Sequence, residues 1–313
     1  MSQKSAVVVG VDGSEHSLRA LEWALRVARS LSAPLTVAHV RSEALQLGSA
    51  RISSLGPAPD LPDTVVNSLA AQIGPRAEGL DIGYASLEGS IVDALVGAAA
   101  RARLLVVGSR GRGGFKSLLL GSNSRALAAA SPCPLIVVPH EARIATLDGS
   151  SRAGRVLLGL HPEETGDEVV EFAFRAARQR GVPLQVVTSY PVPPNPVLLL
   201  APPSPKFDVP PTSPDETPEL VEETRQRQAE RLLPFSQRHP EVEVQPVVTP
   251  VDAAGRLVDD SQEAGLVVVG RHRRHRVAKL LVGSVANAVL QHAACPVAIV
   301  PPPPAPPAGS PTD

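Results

Sequence analysis

The sequence predicts an α/β protein of two tandem doubly wound domains, each a five-stranded parallel sheet with helices on both faces. The first observation behind this prediction is a duplication, because the landmarks Gly108, Gly121 and Cys133 each recur 162 positions later. The second is that short apolar runs alternate with longer helical patterns, which is typical of βαβ units. The third is length, since 313 residues suffice for two domains of roughly 150 residues.

The elements of the first half follow from composition and periodicity. The predicted strands are short and apolar, and those near Val106 and Ile136 do not alternate, as expected for a parallel sheet that is covered on both faces. The first predicted helix has one apolar face and one charged face. Strands are predicted at residues 6–9, 35–40, 82–87, 104–107 and 135–138, and helices at about 17–31, after 60, at 91–100 and after 121.

The second half repeats this plan with an insertion. Its first helix is predicted to begin with a capping box formed by Thr165 and Glu168. Its first two strands are predicted at 156–159 and 184–188, its second helix at about 218–238 and its final strand at 297–300. The proline-dense segment 191–217 lies between the second strand and the second helix, so the insertion is placed there.

These boundaries give domains at residues 1–142 and 153–301, followed by a proline-rich tail at 302–313. A linker is expected within 141–153, where the run Asp148-Gly149-Ser150-Ser151 breaks the pattern. The insert and the tail lack the periodicity of a core and favour extended conformations, which indicates a surface loop and a spacer, with docking of a proline-binding partner as the alternative.

Composition limits the cellular compartment and the classes of binding partner that are expected for this protein. A formal net charge of −1 gives no whole-chain attraction to nucleic acid or anionic lipid. The two cysteines occupy equivalent Cys-Pro steps, which favours small buried residues over a disulfide framework or a metal site. No stretch reaches the roughly 20 apolar residues of a membrane span, and the N-terminus leads straight into a strand. We therefore expect a cytoplasmic protein without a membrane partner.

Polar motifs follow the first and fourth strands, where an open parallel sheet binds ligands. Asp12 follows the first strand, and the glycine-rich loop 108–114 follows the fourth. Glycine lets backbone N–H groups approach an anion, and the helix predicted after Gly121 offers its unpaired N–H groups and positive dipole end. The hydroxyls of Ser122 and Ser124 would be additional donors. This pattern predicts a polyphosphate site.

Two common nucleotide loops do not match, because Phe115 stands where the Walker loop needs glycine and no GxGxxG follows the first strand. The spacing Gly108-x2-Gly111-x9-Gly121-Ser122 instead resembles the ATP-binding motif of the universal stress protein family. The opening run 9–14 and the closing run 131–139 resemble that family as well. The resemblance covers both halves of the chain.

The resemblance implies the strand order 3-2-1-4-5 in each domain. It also implies a site for ATP, with Mg²⁺ coordinated by the phosphates. Asp12 and the backbone near Val40 would hold the adenine and ribose end. The residues implied around the nucleotide are Asp12, Val40, Val107, Gly108, Gly111, Arg112, Gly121, Ser122, Asn123 and Ser124. Without a ligand, Asp12 would have a simpler interpretation as an Asx turn or helix cap, and the glycines as an exposed turn.

The second half departs from the motif. His161 takes the place of Asp12, Arg273 that of Gly111 and Ala286 that of Ser124. We therefore expect the second domain not to bind ATP in the manner of the family. The run 271–276 has four arginines and two histidines, so a nucleic-acid contact is an alternative, although no aromatic residues are interleaved.

These features favour a nucleotide-binding regulatory or sensor protein. A ligand-free interaction scaffold is the second hypothesis. No convincing general base accompanies the phosphate loop, so at most slow ATP hydrolysis is expected. The apolar final strands 135–138 and 297–300 need pairing, which the resemblance suggests could occur between the two halves or between copies of the chain.

Overall fold

The computed structural model describes residues 5–41, 63–74, 77–111, 119–140, 154–190, 217–250, 252–271 and 282–303. The expected linker, most of the insert and most of the tail lie outside these residues. Strands and helices alternate in the first half, which comprises β1 (Val7–Val11), α1 (Glu15–Ser30), β2 (Leu35–Arg41), α2 (Thr64–Ile73), β3 (Ile82–Glu88), α3 (Ile91–Ala99), β4 (Leu104–Gly108), α4 (Ser122–Ala130) and β5 (Leu135–Val138).

The second half repeats this order and adds one turn of 3-10 helix at Ser261–Glu263. The helix predicted at about 218–238 is present within one residue of that range. The elements are β6 (Val156–Gly159), α5 (Asp167–Arg180), β7 (Leu184–Tyr190), α6 (Thr217–Arg238), β8 (Val244–Pro250), α7 (Ala253–Asp260), β9 (Leu266–Gly270), α8 (Ser284–His292) and β10 (Val297–Val300).

The two halves form one continuous ten-stranded sheet, in the order β3-β2-β1-β4-β5-β10-β9-β6-β7-β8. Each half has parallel pairing, as the sequence predicts, in the strand order 3-2-1-4-5 that the family resemblance implies. The joint between them is antiparallel, with Ile136 opposite Ala298. The final strands therefore pair within one chain, and in this arrangement neither leaves an edge for a second copy.

Apolar side chains cover both faces of this sheet and continue across the joint. One face carries α1, α2, α5 and α6, and the other carries α3, α4, α7 and α8. Ile136 and Ala298 belong to the first cluster, while Val137 and Val297 belong to the second. Because strand side chains alternate between faces, the joint closes both cores at once.

The joint also has contacts between helices on the first face. The side chain of Gln179, in α5, donates to the hydroxyl of Ser30 at 2.8 Å. The guanidinium carbon of Arg180 lies 5.8 Å from the ring centroid of Trp23, in α1. Burial lowers the pKa of Arg180 to about 10, so the guanidinium stays charged at neutral pH and contributes a cation–π contact. The helix that follows Asp12 thus contacts the second half.

The helix starts differ from the sequence prediction at one place. α1 begins with Ser14 as its N-cap, whose side chain accepts from the N–H of Ser17. The capping box predicted at Thr165 is wrong, because the N-cap of α5 is Gly166 and makes no side-chain bond. The hydroxyl of Thr165 instead accepts from the N–H of His161 at 2.9 Å. Thr165 bonds to His161 and does not cap α5 because the folded chain places its hydroxyl beside the end of β6.

A buried carboxylate ties α2 to the ends of β2 and β3. The Oδ2 atom of Asp63 accepts from His39 Nδ1 and from the hydroxyl of Ser86, both at 2.7 Å. Its Oδ1 atom accepts from the N–H groups of Val65 and Val66. Burial raises the pKa of Asp63, but the hydrogen bonds from His39, Ser86 and Val66 outweigh burial and bring that pKa down to about 2.

Replacing Asp63 by asparagine should therefore lower stability at neutral pH while retaining a helix cap. A pKa depressed from 3.8 to about 2 contributes about 2 kcal/mol to the free energy of unfolding above pH 4. That contribution is lost as the pH falls from about 4 to 2. Urea denaturation at pH 7 and pH 3 should show a larger difference between wild type and Asp63→Asn at pH 7. Equal differences at the two pH values would contradict the assignment.

Both cysteines are buried and free, which agrees with the interpretation from sequence. Burial raises the pKa of the Cys295 thiol to about 12, so this thiol is an unreactive core group. Among the described helices, none is both long and apolar enough to cross a membrane.

Candidate functional site

A cleft opens at the carboxyl ends of β1 and β4, where the chain leaves for opposite faces of the sheet. α1 follows β1 on one face, and α4 follows β4 on the other. This is the switch point at which open α/β sheets bind ligands. The cleft is lined by Gly10, Val11, Asp12, Ser17, Ala38, Val40, Ile91, Leu95, Val107, Gly108, Arg110, Gly111, Asn123, Ser124 and Leu127.

Seven of the ten residues predicted for the site line this cleft, namely Asp12, Val40, Val107, Gly108, Gly111, Asn123 and Ser124. Gly121 and Ser122 begin α4 at its edge and are not among the lining residues. Arg112 lies outside the described residues. Segments separated by as many as 112 positions, from Asp12 to Ser124, therefore meet at one place.

The carboxylate of Asp12 has both an internal role and a position in the cleft. Its Oδ1 atom accepts from the N–H of Ser14 at 2.9 Å, which is the Asx turn that the sequence left open. Its Oδ2 atom lies toward Gly111, where an added Cβ would come within 2.7 Å of it. A glycine at 111 is thus what gives the carboxylate room beside the loop.

Gly108 has a packing role that sequence reasoning missed. A Cβ at this position would lie 2.7 Å from the carbonyl oxygen of His16, in the first turn of α1. Backbone cannot move aside as a long side chain can, so only glycine allows β4 and α1 to approach this closely. The packing brings the end of β4 next to Asp12.

The start of α4 is attached to the loop that follows β4. The N–H of Gly121 donates to the carbonyl of Ser109 at 2.8 Å. The buried hydroxyl of Ser124 donates to the carbonyl of Gly108 at 2.9 Å. Because a hydroxyl has a single proton, the predicted donation from Ser124 to a phosphate would require this bond to Gly108 to open. The N–H groups of the first turn and the exposed Ser122 remain for that purpose.

Two groups of lining residues were absent from the sequence prediction. Arg110 places a cation in the cleft, and its position between Ser109 and Gly111 was the available signal. Ala38, which the prediction left out, shares one face of β2 with the predicted Val40, while Ile91 and Leu95 share one face of α3, so these residues follow the periodicities of their elements. Together these side chains give the cleft an apolar end and a cationic end.

Electrostatics favour an anion at the cationic end. Burial lowers the pKa of His16, and the charge of Arg110 and the neighbouring His140 lower it further. The rings of His16 and His140 lie 4.6 Å apart. The N-termini of α1 and α4 add their positive dipole ends. Among the lining residues, Asp12 is the one carboxylate, so a divalent cation there would take most of its oxygen ligands from a bound phosphate.

The equivalent place in the second half has different chemistry. The Nδ1 atom of His161 accepts from the N–H of Glu164 at 3.2 Å, so this ring closes a local turn. Ala286, which is buried, replaces Ser124. Gly270 packs against Val169, whose Cγ2 atom would lie 3.1 Å from an added Cβ. Arg273 lies outside the described residues.

The first arginine of the cationic run is engaged within the chain. Arg271 follows β9, and its Nη1 atom donates to the carbonyls of Ala129 at 2.7 Å and Ser131 at 2.9 Å. Ala129 lies in the last turn of α4 and Ser131 is the C-cap residue of that helix, so both carbonyls belong to the first half. Arg271 is therefore committed to the joint, which weakens the alternative of a nucleic-acid contact; residues 272–276 lie outside the described part of the chain.

Comparisons with known proteins agree with this architecture. A model described as the universal stress protein family matches residues 5–139 and 153–301. A universal stress protein of Mycolicibacterium smegmatis is 31% identical over 313 residues, covering 95% of this chain and 97% of the relative. One from Mycobacterium tuberculosis is 30% identical over 311 residues, with the same coverage. The solved structure of a universal stress protein from Archaeoglobus fulgidus covers 96% of this chain and 98% of its own, with a TM-score of 0.61 and 18% identity, so it shares the fold.

Proposed function

This chain belongs to the universal stress protein family, and we propose that its first half binds ATP with Mg²⁺ as a regulatory or sensor protein. The observation that carries the proposal is the cleft at the switch point, which combines an apolar end, one carboxylate and a glycine-rich loop beside a helix start. Such a combination suits a ligand with a flat base, a polar sugar and an anionic tail.

Each part of the cleft has a role in this proposal. Ala38, Val40 and Leu95 supply an apolar surface for the base. The Oδ2 atom of Asp12 is oriented toward Gly111 and would accept from ribose hydroxyls. The N–H groups at the start of α4, together with Arg110, would bind the phosphates. Mg²⁺ would neutralise phosphate charge that Arg110 and the helix ends leave uncompensated.

The second half is proposed to have no equivalent nucleotide site. His161 offers a ring nitrogen in place of a carboxylate and already closes its own turn.

The described cleft residues of the first half offer no base besides Asp12, whose Oδ1 atom is engaged in the Asx turn. We therefore propose that the protein binds ATP and signals through a change of conformation, and that it does not hydrolyse ATP efficiently.

Calorimetric titration of Mg-ATP into the full chain tests this proposal. We expect one site per chain, and the melting temperature should rise with nucleotide concentration because ligand binds the folded state. Nucleotide should also be found in denatured extracts if it remains bound through purification. No heat of binding, no thermal shift and no retained nucleotide would favour the ligand-free scaffold instead.

A further inference from the structure

The helix that provides the phosphate end of the cleft is attached at both of its ends, and the two attachments come from different halves. At its N-terminus, α4 is bonded to the loop after β4 through Gly121 and Ser124. At its C-terminus, it is bonded to Arg271 of the second half. α4 has nine residues and is therefore only about 13 Å long, so a displacement of one end displaces the other.

The contact made by Arg271 is chemically strong. The last carbonyls of a helix lack intrahelical partners and carry the negative end of its dipole. A guanidinium donates to them with charge assistance, and one nitrogen of Arg271 reaches two such carbonyls within 2.9 Å. The side chain is partly buried, so loss of these bonds would leave polar groups unsatisfied at the joint.

The equivalent positions 271 and 109 of the two halves differ, because the second half has a contact to the first half that the first half does not return. Arg271 occupies the place that Ser109 has in the first half, directly after the strand that precedes the phosphate loop. The backbones of both residues are held alike, since Ser109 donates to Val138 and Arg271 donates to Val300, both at 2.9 Å. A serine side chain is too short to reach across the joint. At this pair of equivalent positions, the second half thus extends a cation into the first half, and the first half has no counterpart.

We propose that Arg271 is a positioning residue for the nucleotide site of the first half, because it holds the C-terminal end of α4 and thereby places the helix start that receives the phosphates. This inference rests on the proposed function. The second half would then contribute to nucleotide affinity without binding nucleotide. Reciprocity requires that nucleotide binding also tighten the contact between the halves.

The test compares three variants of the full chain by Mg-ATP titration and by hydrogen exchange of the ligand-free protein. Arg271→Ala should weaken nucleotide binding by about fivefold or more and speed exchange at residues 122–130. Arg271→Lys should restore part of both, because an ammonium group can also donate to helix carbonyls. The matched control is Gln179→Ala, which removes the bond to Ser30 at the same joint on the opposite face. It should change neither.

The outcomes are distinguishable. Absence of binding by the wild-type chain overturns the proposed function and this inference with it. Wild-type binding with unchanged affinity in Arg271→Ala overturns the inference alone. Equal weakening by Gln179→Ala would also overturn it, because the effect would then belong to the joint in general. Unchanged exchange at residues 122–130 in Arg271→Ala would show that Arg271 does not hold α4.

Discussion

Replacing Gly121 by valine is expected to abolish nucleotide binding by the first half while leaving the chain folded. The backbone at Gly121 is extended, with φ of −72°, so valine can adopt it. A Cβ there lies 3.3 Å from the carbonyl oxygen of Ser109 and 3.5 Å from the Cα atom of Arg110. The two methyl groups of valine extend further, so the start of α4 must move away from the loop.

The size of the loss in affinity follows from the hydrogen bonds to the phosphate that would be lost. Two hydrogen bonds between backbone N–H groups and a charged phosphate correspond to about a hundredfold or more in affinity. Titration of Mg-ATP into Gly121→Val should therefore give no measurable heat at concentrations that saturate the wild type. Binding within about threefold of wild type would show that the helix start is not the phosphate site.

Gly283→Val is the matched control for this experiment. Gly283 is the N-cap of α8, as Gly121 is the N-cap of α4, and both have extended backbone. Each substitution should cost about 1 kcal/mol through the loss of a favoured cap residue. Only Gly121→Val should change nucleotide affinity, because the second half lacks the carboxylate that Asp12 supplies. Equal loss in both variants would indicate a general effect on folding.

Replacing Gly108 by alanine is expected to destabilise the first half strongly. The added Cβ would lie within 2.9 Å of three atoms of His16, two of them backbone. β4 and α1 must then separate, at a cost of about 2 to 3 kcal/mol for overpacking. Thermal denaturation should show a melting temperature lower by about 5 to 10 °C, and nucleotide affinity should fall because the same separation moves Asp12 from the loop.

The duplication offers a control at the equivalent position. At Gly270, the atom nearest to an added Cβ would be Cγ2 of the Val169 side chain, at 3.1 Å, so Gly270→Ala should cost clearly less than Gly108→Ala. Gly97→Ala, in the last turn of α3 with open space around the residue, should raise stability by up to about 1 kcal/mol. A similar loss for Gly108→Ala and Gly270→Ala would contradict the packing role of Gly108.

Part of the candidate site was predictable from local sequence. Asp12, Gly108 and Gly111 follow strands whose apolar composition identifies them as buried and parallel, so their place at the carboxyl edge follows from topology. Arg110 was within the same loop, but nothing local shows that its side chain lines the cleft. The bond between Ser124 and Gly108 joins positions 16 apart, and only the packed helix brings that hydroxyl to that carbonyl.

The sequence by itself determined the duplication, the alternating strands and helices, the strand order through a family motif, and the loss of the motif in the second half. The duplication, the alternation and the motif's loss are properties of spacing and periodicity, which the chain carries locally, whereas the strand order was implied by the family resemblance. Only the tertiary structure decided that β5 and β10 join the halves into one sheet, that Thr165 bonds to His161 and does not cap α5, and that Arg271 donates to the carbonyls of Ala129 and Ser131. The reason is that the acceptors for these donors lie far apart in sequence and come within hydrogen-bond distance only when the chain folds. Once the groups are buried, leaving them without a partner would be costly, so these bonds are retained.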